Sequence, residues 1–395
     1  MGGQVPRPWL AYVGPFAYPD GGAAARRVMG MAESLVLTGL DVVIASGAGQ
    51  SLQDEGTLTA QGDGIAWCLL AERVAEHWPR PLRRFRYATM GARTVQWLSS
   101  QPTLPSAVVL YSGYTPYLQR LLPWCRRNGV RLLFDAVEWY EPEHGWGYLT
   151  SPYQWNIEWA MRRLVPLTDG VIAISSYLAD YYRKRGLPLA IVPPTTSAIG
   201  AGQWRPDARL RLCYAGNPGN KDDLALVLRA VARLVSTGAA IHLTVAGPER
   251  SQVLGMLGEP PGRELPWLHA PGMLGHADVQ RLVGSVDFSI LVRQPCRVSQ
   301  AGFPTKFVES LASGTPVIAN LTSDLHLYLR DGETGLVCGT PDMEGVASAL
   351  VRATSLGEAV MRRMRTACIE QAQAGFHPGV HVEALRRLVR GGPHG

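Results

Sequence analysis

Hydrophobic positions along this 395-residue chain fall into two series of short β-rich runs, each alternating with helical stretches. In the first series, residues 9–13 read as a strand. A Gly/Pro loop follows, then a helical pattern over 23–37 that Gly39 stops, then a strand at 42–45. Further strands are predicted at 107–111, 130–135 and 170–174. This β-α-β alternation argues for an α/β fold with a parallel sheet covered on both faces. The pattern breaks at Ile191-Val192-Pro193-Pro194, because proline cannot continue a hydrogen-bonded element. Residues 195–207 carry little apolar periodicity and read as the linker. A second series then starts with a strand at 210–215. A helix over 222–235 has apolar positions at 224, 227, 228, 231, 234 and 235, the spacing of one buried face. Strands at 240–246 and 286–292, a helix near 304–313 and a strand at 316–320 complete it. Residues 380–390 read as a last, basic helix.

Length and composition fit two domains: 46% of residues are hydrophobic and 18% charged. No apolar run reaches the ~18 residues of a membrane span, and the N-terminus has no secretory pattern, so a cytoplasmic location is expected. The six cysteines are scattered, with no C-x-x-C pair, and read as buried free thiols rather than a zinc site. Net charge is +6, compatible with an anionic partner. Of the 38 basic residues only Lys184, Lys221 and Lys306 are lysines. Two of those three lie in the segments that look chemical.

The most informative segment runs from Gly302 to Ile318. Pro304 suits a first helical position, Gly314 the left-handed residue that ends a helix, and Pro316 prevents continuation. The start of that helix, with Pro304, Thr305 and Lys306, offers free N–H groups, the positive end of the dipole and an ammonium to a phosphate. A cation there is unfavourable without a compensating anion. Glu309 shares the face of Lys306 and suits ribose hydroxyls. An isolated Lys-x-x-Glu would read as a solvated pair; combined with the cap and the Gly-x-Pro exit, it reads as a ligand site. A second segment, Tyr214 to Asp223, ends a strand in a Gly-rich turn. Gly216 and Gly219 let backbone approach a ligand, Lys221 reaches a diphosphate, and Asp222 is the expected helix N-cap. A third, Gly14 to Arg27, includes Gly21 and Gly22 at the end of the first strand, where ligands bind in open α/β sheets; a plain βα connection is an equal reading. In a fourth, 134–142, Glu138 is a candidate acid/base or sugar-hydroxyl acceptor, with an ordinary loop carboxylate about as good a reading. Residues 76–86 interleave Arg with aromatics. That suits an anionic acceptor or a membrane surface, though a solvated face is the better reading.

The 302–318 segment resembles the donor-binding signature of the retaining family-4 glycosyltransferases, most closely a sub-branch carrying Gly-Phe-Pro-Thr-Lys. Glu309 matches the second Glu of that family's Glu-x7-Glu motif; Ala301 stands where the first Glu is expected. In the Gly-rich turn Lys221 matches the family's lysine. Asn217 stands near the place of its arginine, a charge that Arg293 or Arg297 would then supply. Val137 occupies the place of the family's histidine. The resemblance implies a GT-B fold, two Rossmann-like domains facing across a cleft. An N-terminal acceptor-side domain would span 1–196, a nucleotide-sugar-binding domain 205–375, and 376–395 would return to the first. It also implies a nucleotide-diphosphate sugar as donor substrate, no further cofactor and no metal, in keeping with the lack of an Asp-x-Asp clamp. The acceptor would be a hydroxyl on a saccharide, lipid-linked saccharide or secondary metabolite. No nucleic acid is expected; peripheral contact with the inner face of a membrane stays open. Glu138, Lys221 and Lys306 are the candidate catalytic residues. Gly21, Gly22, Gly216, Asn217, Lys221, Arg293, Pro304, Thr305, Lys306 and Glu309 are the candidate donor-binding ones. Two alternatives stand beside this reading: a nucleotide-sugar 2-epimerase, and a catalytically silent nucleotide-sugar-binding subunit.

Overall fold

The structure, a computed structural model, describes residues 7–49, 56–62, 64–72, 87–112, 115–140, 152–219 and 221–391. The basic stretch 76–86 lies outside them. The chain divides into two compact units, one of residues 1–197 with 378–395, the other of residues 198–377.

The first unit holds an eight-stranded sheet. Its strands are β1 (Trp9–Gly14), β2 (Asp41–Ser46), β3 (Thr59–Gly62), β4 (Ile65–Leu69), β5 (Ala107–Tyr111), β6 (Arg131–Ala136), β7 (Gly170–Ala173) and β8 (Leu189–Ile191). They lie in the order β3-β4-β2-β1-β5-β6-β7-β8. All neighbours are parallel except β3 and β4. Central strands such as β1 and β5 are near-continuous apolar runs because both faces are covered. The helix Gly22–Val36 buries Ala25, Val28, Met31, Ala32 and Leu35, one stripe at helical spacing. The last helix, Val382–Arg390, sends Leu385, Leu388 and Val389 into this same core.

One ion cluster lies wholly inside this unit. Arg27 and Asp135 are 2% and 0% exposed. The Arg27 guanidinium donates to Asp135 Oδ1 at 2.8 Å, and to the carbonyls of Val192 and Pro193 at 2.7 and 2.8 Å. The Tyr12 hydroxyl donates to the other carboxylate oxygen. Burial alone would lower the arginine's pKa, but Asp135 outweighs it and the net shift is upward. The cluster pins the first helix to the sheet and to the strand exit at 192–193.

The second unit holds a parallel sheet of β9 (Leu210–Ala215), β10 (Ile241–Ala246), β11 (Leu268–Gly272), β12 (Phe288–Leu291), β13 (Val317–Ala319) and β14 (Gly335–Val337). Their order is β11-β10-β9-β12-β13-β14. The helix Leu224–Ser236 buries Leu224, Leu226, Val227, Leu228, Ala230 and Val231. Fully burying such a side chain contributes about 1.5–3 kcal/mol. The Arg365 guanidinium, also buried, donates to Gly284 O at 2.9 Å and Val286 O at 3.1 Å, capping the C-terminal end of the helix His276–Ser285.

Several sequence expectations are corrected here. Asp223, not Asp222, caps the helix that starts at Leu224, its side chain accepting from Leu226 N at 3.0 Å. Pro304 is itself the N-cap of the helix Thr305–Ala312 rather than its first residue. Cys296 is only half-buried, whereas the other five thiols are buried. Strands β3, β8, β11 and β14 carry too short or too mixed a pattern to be seen in the sequence, and β4, an apolar run of the same length as β5, was missed.

Candidate functional site

In an open α/β sheet, ligands gather beyond the carboxyl ends of the strands where the strand order reverses. In the second unit that point lies between β9 and β12, which pair with each other while their onward connections run to opposite sides. Two of the segments singled out in the sequence meet there, joined by Arg293. The turn after β9 brings Gly216, Asn217 and Lys221; the exit of β12 brings Arg293; the helix Thr305–Ala312 brings Lys306 and Glu309.

Lys306 is the centre of this arrangement. Its Nζ donates to Tyr214 Oη at 2.5 Å, to Asp222 Oδ2 and, at 3.5 Å, to Asn217 O. The ammonium also lies 4.1 Å from the centre of the Tyr214 ring. Gly216 has φ +124°, and a Cβ there would come within 2.6 Å of Lys306 Cε. Glycine is therefore required twice over, for the backbone angle and for the room the lysine takes. Asp222, buried, accepts from Arg293 Nε at 2.7 Å on Oδ1 and from the Tyr214 hydroxyl at 2.7 Å on Oδ2. Arg293 is held in turn by Asn320, whose side chain accepts its N–H and donates to its carbonyl, both at 2.8 Å.

The electrostatics follow from burial and charge count. Burial pushes the Lys306 pKa down and outweighs the opposing pull of Asp222. Burial alone would raise the Asp222 carboxyl, but Arg293 and Lys306 hold it below the ordinary carboxylate range. Two cations share the Asp222 carboxylate, and Glu309 is a second carboxylate facing Lys306, so opposite charges are close to balance around a lysine that keeps one weak contact, to Asn217 O.

Glu309 and Lys306 line one small cavity with Ala215, Ser289 and Ser310. Its volume of about 20 Å³ is room for about one water. Ser310 Oγ donates to Lys306 O at 2.8 Å and accepts from Ser289 Oγ at 2.6 Å, tying the helix's first turn to β12. The helix ends as its sequence demands: Gly314 is left-handed at φ +66°, and Thr315 N donates back to Ser310 O at 2.8 Å. Ala301, at the place of the expected first Glu, is fully buried.

The remaining sequence-derived residues lie elsewhere. Pro304 is buried and Thr305 half-buried at the helix start, Asn217 is exposed, and Lys221 is half-buried beside Asp222. Gly21, Gly22 and Glu138 belong to the first unit. Gly21 is packed so tightly that a Cβ would meet Ala17 O at 1.8 Å, and Gly22 has φ +61°. Glu138 lies half-buried just past the end of β6. Sequence reasoning missed Tyr214 as a site residue and gave Asp222 only a capping role. The signal available was an acidic pair, Asp222-Asp223, where one cap suffices.

Residues 209–355 match the family described as glycosyl transferases group 1, and residues 22–195 match the glycosyl transferase 4-like domain. The chain belongs with the group 1 glycosyltransferases. Two curated relatives, glycogen synthases from two strains of Mycobacterium tuberculosis, are 26% identical over 211 residues, 52% of this chain and 50% of theirs. The match thus spans about half the length of those relatives. Among solved structures, sucrose-phosphate synthase from Thermosynechococcus elongatus superposes with a TM-score of 0.71 at 14% identity, covering 98% of this chain and 99% of that one. The Anabaena HepE protein, solved with UDP and glucose, gives 0.67 at 11% identity, covering 97% and 99%. These likenesses show the glycosyltransferase GT-B fold: two Rossmann-like α/β units in one chain. Among the described residues, no helix is long and apolar enough to cross a membrane.

Proposed function

We propose that this group 1 glycosyltransferase moves a sugar, with retention, from a nucleotide-diphosphate donor to an acceptor hydroxyl. The observation that carries the reading is the Lys306 ammonium at the switch point of the second sheet, held by Tyr214 and Asp222 over Gly216 at the start of a helix. In this reading the diphosphate lies between Lys221, Lys306 and the N–H groups of the helix Thr305–Ala312, and Glu309 accepts from the ribose hydroxyls. Such fixed charges stabilise the diphosphate as its negative charge grows on leaving, without a metal. The sugar C1–O bond to the diphosphate breaks while a bond from C1 to the acceptor oxygen forms on the same face. The acceptor's proton passes to the departing diphosphate oxygen. The acceptor is a saccharide, a lipid-linked saccharide or a secondary metabolite.

Two proteins of the same fold were solved with UDP or a UDP-sugar, so UDP-sugars head the donor screen. The test is nucleotide release from UDP-, GDP- and dTDP-sugars, measured with and without hydroxyl-bearing acceptors and with EDTA. Acceptor-dependent release that persists in EDTA is the expected result. Release of free sugar and nucleotide without any acceptor would favour the epimerase, and binding without turnover would favour a silent subunit. Loss of activity in EDTA, restored by Mg²⁺, would sink the metal-free reading.

A further inference from the structure

Three acceptors meet the three N–H bonds of the Lys306 ammonium, and they are unequal. Tyr214 Oη is at 2.5 Å, Asp222 Oδ2 is the charged one, and Asn217 O is distant at 3.5 Å. The two strong acceptors are bonded to each other, since the Tyr214 hydroxyl donates to Asp222 Oδ2. The second carboxylate oxygen is committed to Arg293, itself clamped by Asn320. Both oxygens of Asp222 are therefore occupied by protein groups. A lysine in the first turn of a helix works against the helix dipole, and burial works against its charge. Something must offset both for the ammonium to persist without a ligand.

We propose that Asp222 is a positioning residue of the donor site, holding the Lys306 ammonium over the Gly216 turn while Arg293 fixes the carboxylate from its other side. The inference rests on the donor reading above but concerns a residue that reading does not use. In this arrangement the weak contact to Asn217 O is the one a phosphate oxygen replaces, and the two strong ones are kept. The groups facing Lys306 are Asp222, Glu309, Arg293, Tyr214 and the Asn217 carbonyl. The carboxylates favour the charged lysine; Arg293 and burial oppose it. Removing Asp222 thus leaves Lys306 losing its proton at lower pH, and an uncharged amine binds phosphate poorly. A carboxylate that served only to hold the fold together would not make the loss of UDP affinity grow with pH.

Having only three lysines makes the measurement direct. In protein labelled with ¹³C at lysine Cε, Lys306→Met assigns the signal, and its pH midpoint is read without nucleotide. Asp222→Asn is expected to lower the Lys306 midpoint by about one pH unit or more, leaving Lys184 unmoved, while Asp222→Glu stays within about half a unit of the parent. The ratio of UDP dissociation constants, Asp222→Asn over parent, is expected to grow about tenfold as pH rises from about 6 to about 9. Should Asp222→Asn not fold, Asp222→Ser is read instead, with the same lowering of the Lys306 midpoint expected. An unmoved midpoint in the folded variant, or a UDP affinity ratio flat with pH, overturns the assignment. A separate arm adds UDP to the parent protein. A Lys306 signal indifferent to UDP there counts against the donor reading and leaves the role of Asp222 toward Lys306 standing on the ligand-free titrations.

Discussion

Each unit carries a buried cluster built from the same three residue types: a tyrosine on the strand where the sheet order reverses, an aspartate and an arginine. In the first unit these are Tyr12, Asp135 and Arg27; in the second Tyr214, Asp222 and Arg293. The first cluster is closed. One cation faces one anion, and the remaining guanidinium bonds go to the carbonyls of Val192 and Pro193. The second admits a further cation, Lys306, whose side chain is 21% exposed. The same chemistry is thus sealed in one unit and, around an added lysine, partly open in the other. A sealed buried pair specifies structure; a buried lysine with a route to solvent is a place for an anion.

That contrast is sharpest in what mutations should do. Arg27→Met strands Asp135 without a counter-charge, and breaking such a pair costs about 3–5 kcal/mol. Urea unfolding should show that loss, with nucleotide affinity of the surviving folded fraction little changed. A drop below about 1 kcal/mol would mean that the first cluster is not the closed structural element described here. Lys306→Met should instead leave stability nearly intact, because Asp222 keeps Arg293 and Tyr214. It should weaken UDP binding by about 1.5–3 kcal/mol, roughly 10- to 100-fold, and uridine binding far less. Equal weakening of both ligands in calorimetry would erase the distinction between the clusters.

Smaller effects separate the carboxylates. Glu309→Gln is expected to raise the donor KM about tenfold with turnover at saturating donor mostly kept, the loss of one charge-assisted bond. Glu138→Gln should act the other way, lowering kcat with donor KM little changed; steady-state kinetics on both variants decide between these roles. The smallest effect is on acid stability. The folded Asp222 carboxyl lies below its ordinary value, so its contribution is complete above the ordinary carboxylate range and is lost as pH falls through the lowered value. The stability gap between the parent and Asp222→Asn should therefore close as pH drops from about 6 toward about 2. A gap constant over that range would break the linkage.

Much of this was legible in the chain because parallel sheets write themselves plainly: buried runs such as 107–111 and 210–215 are nearly all apolar. The three-residue β14 and the mixed β11 were not, since their pairing is decided by neighbours rather than by their own pattern. At the site, Lys306 and Glu309 could be read from helix caps and spacing. Tyr214 and Asp222 could not. An apolar-looking strand residue and a routine capping position become site residues only when one lysine, 92 and 84 positions later, folds against both. The cap itself moved one residue to Asp223, because Asp222 is better served by two cations than by backbone N–H groups.

The last helix has a consequence for how the protein is made. Leu385, Leu388 and Val389 fill the core of the first unit, yet the ribosome supplies them only after the whole of the second. At roughly 5–20 residues per second, the N-terminal sheet waits on the order of 10–40 s with that part of its core uncovered. Ordinarily the leading domain of a nascent chain closes first. Here the trailing unit can close before the leading one, and a chaperone that shields exposed apolar surface would find its client at the front of the chain, not the back.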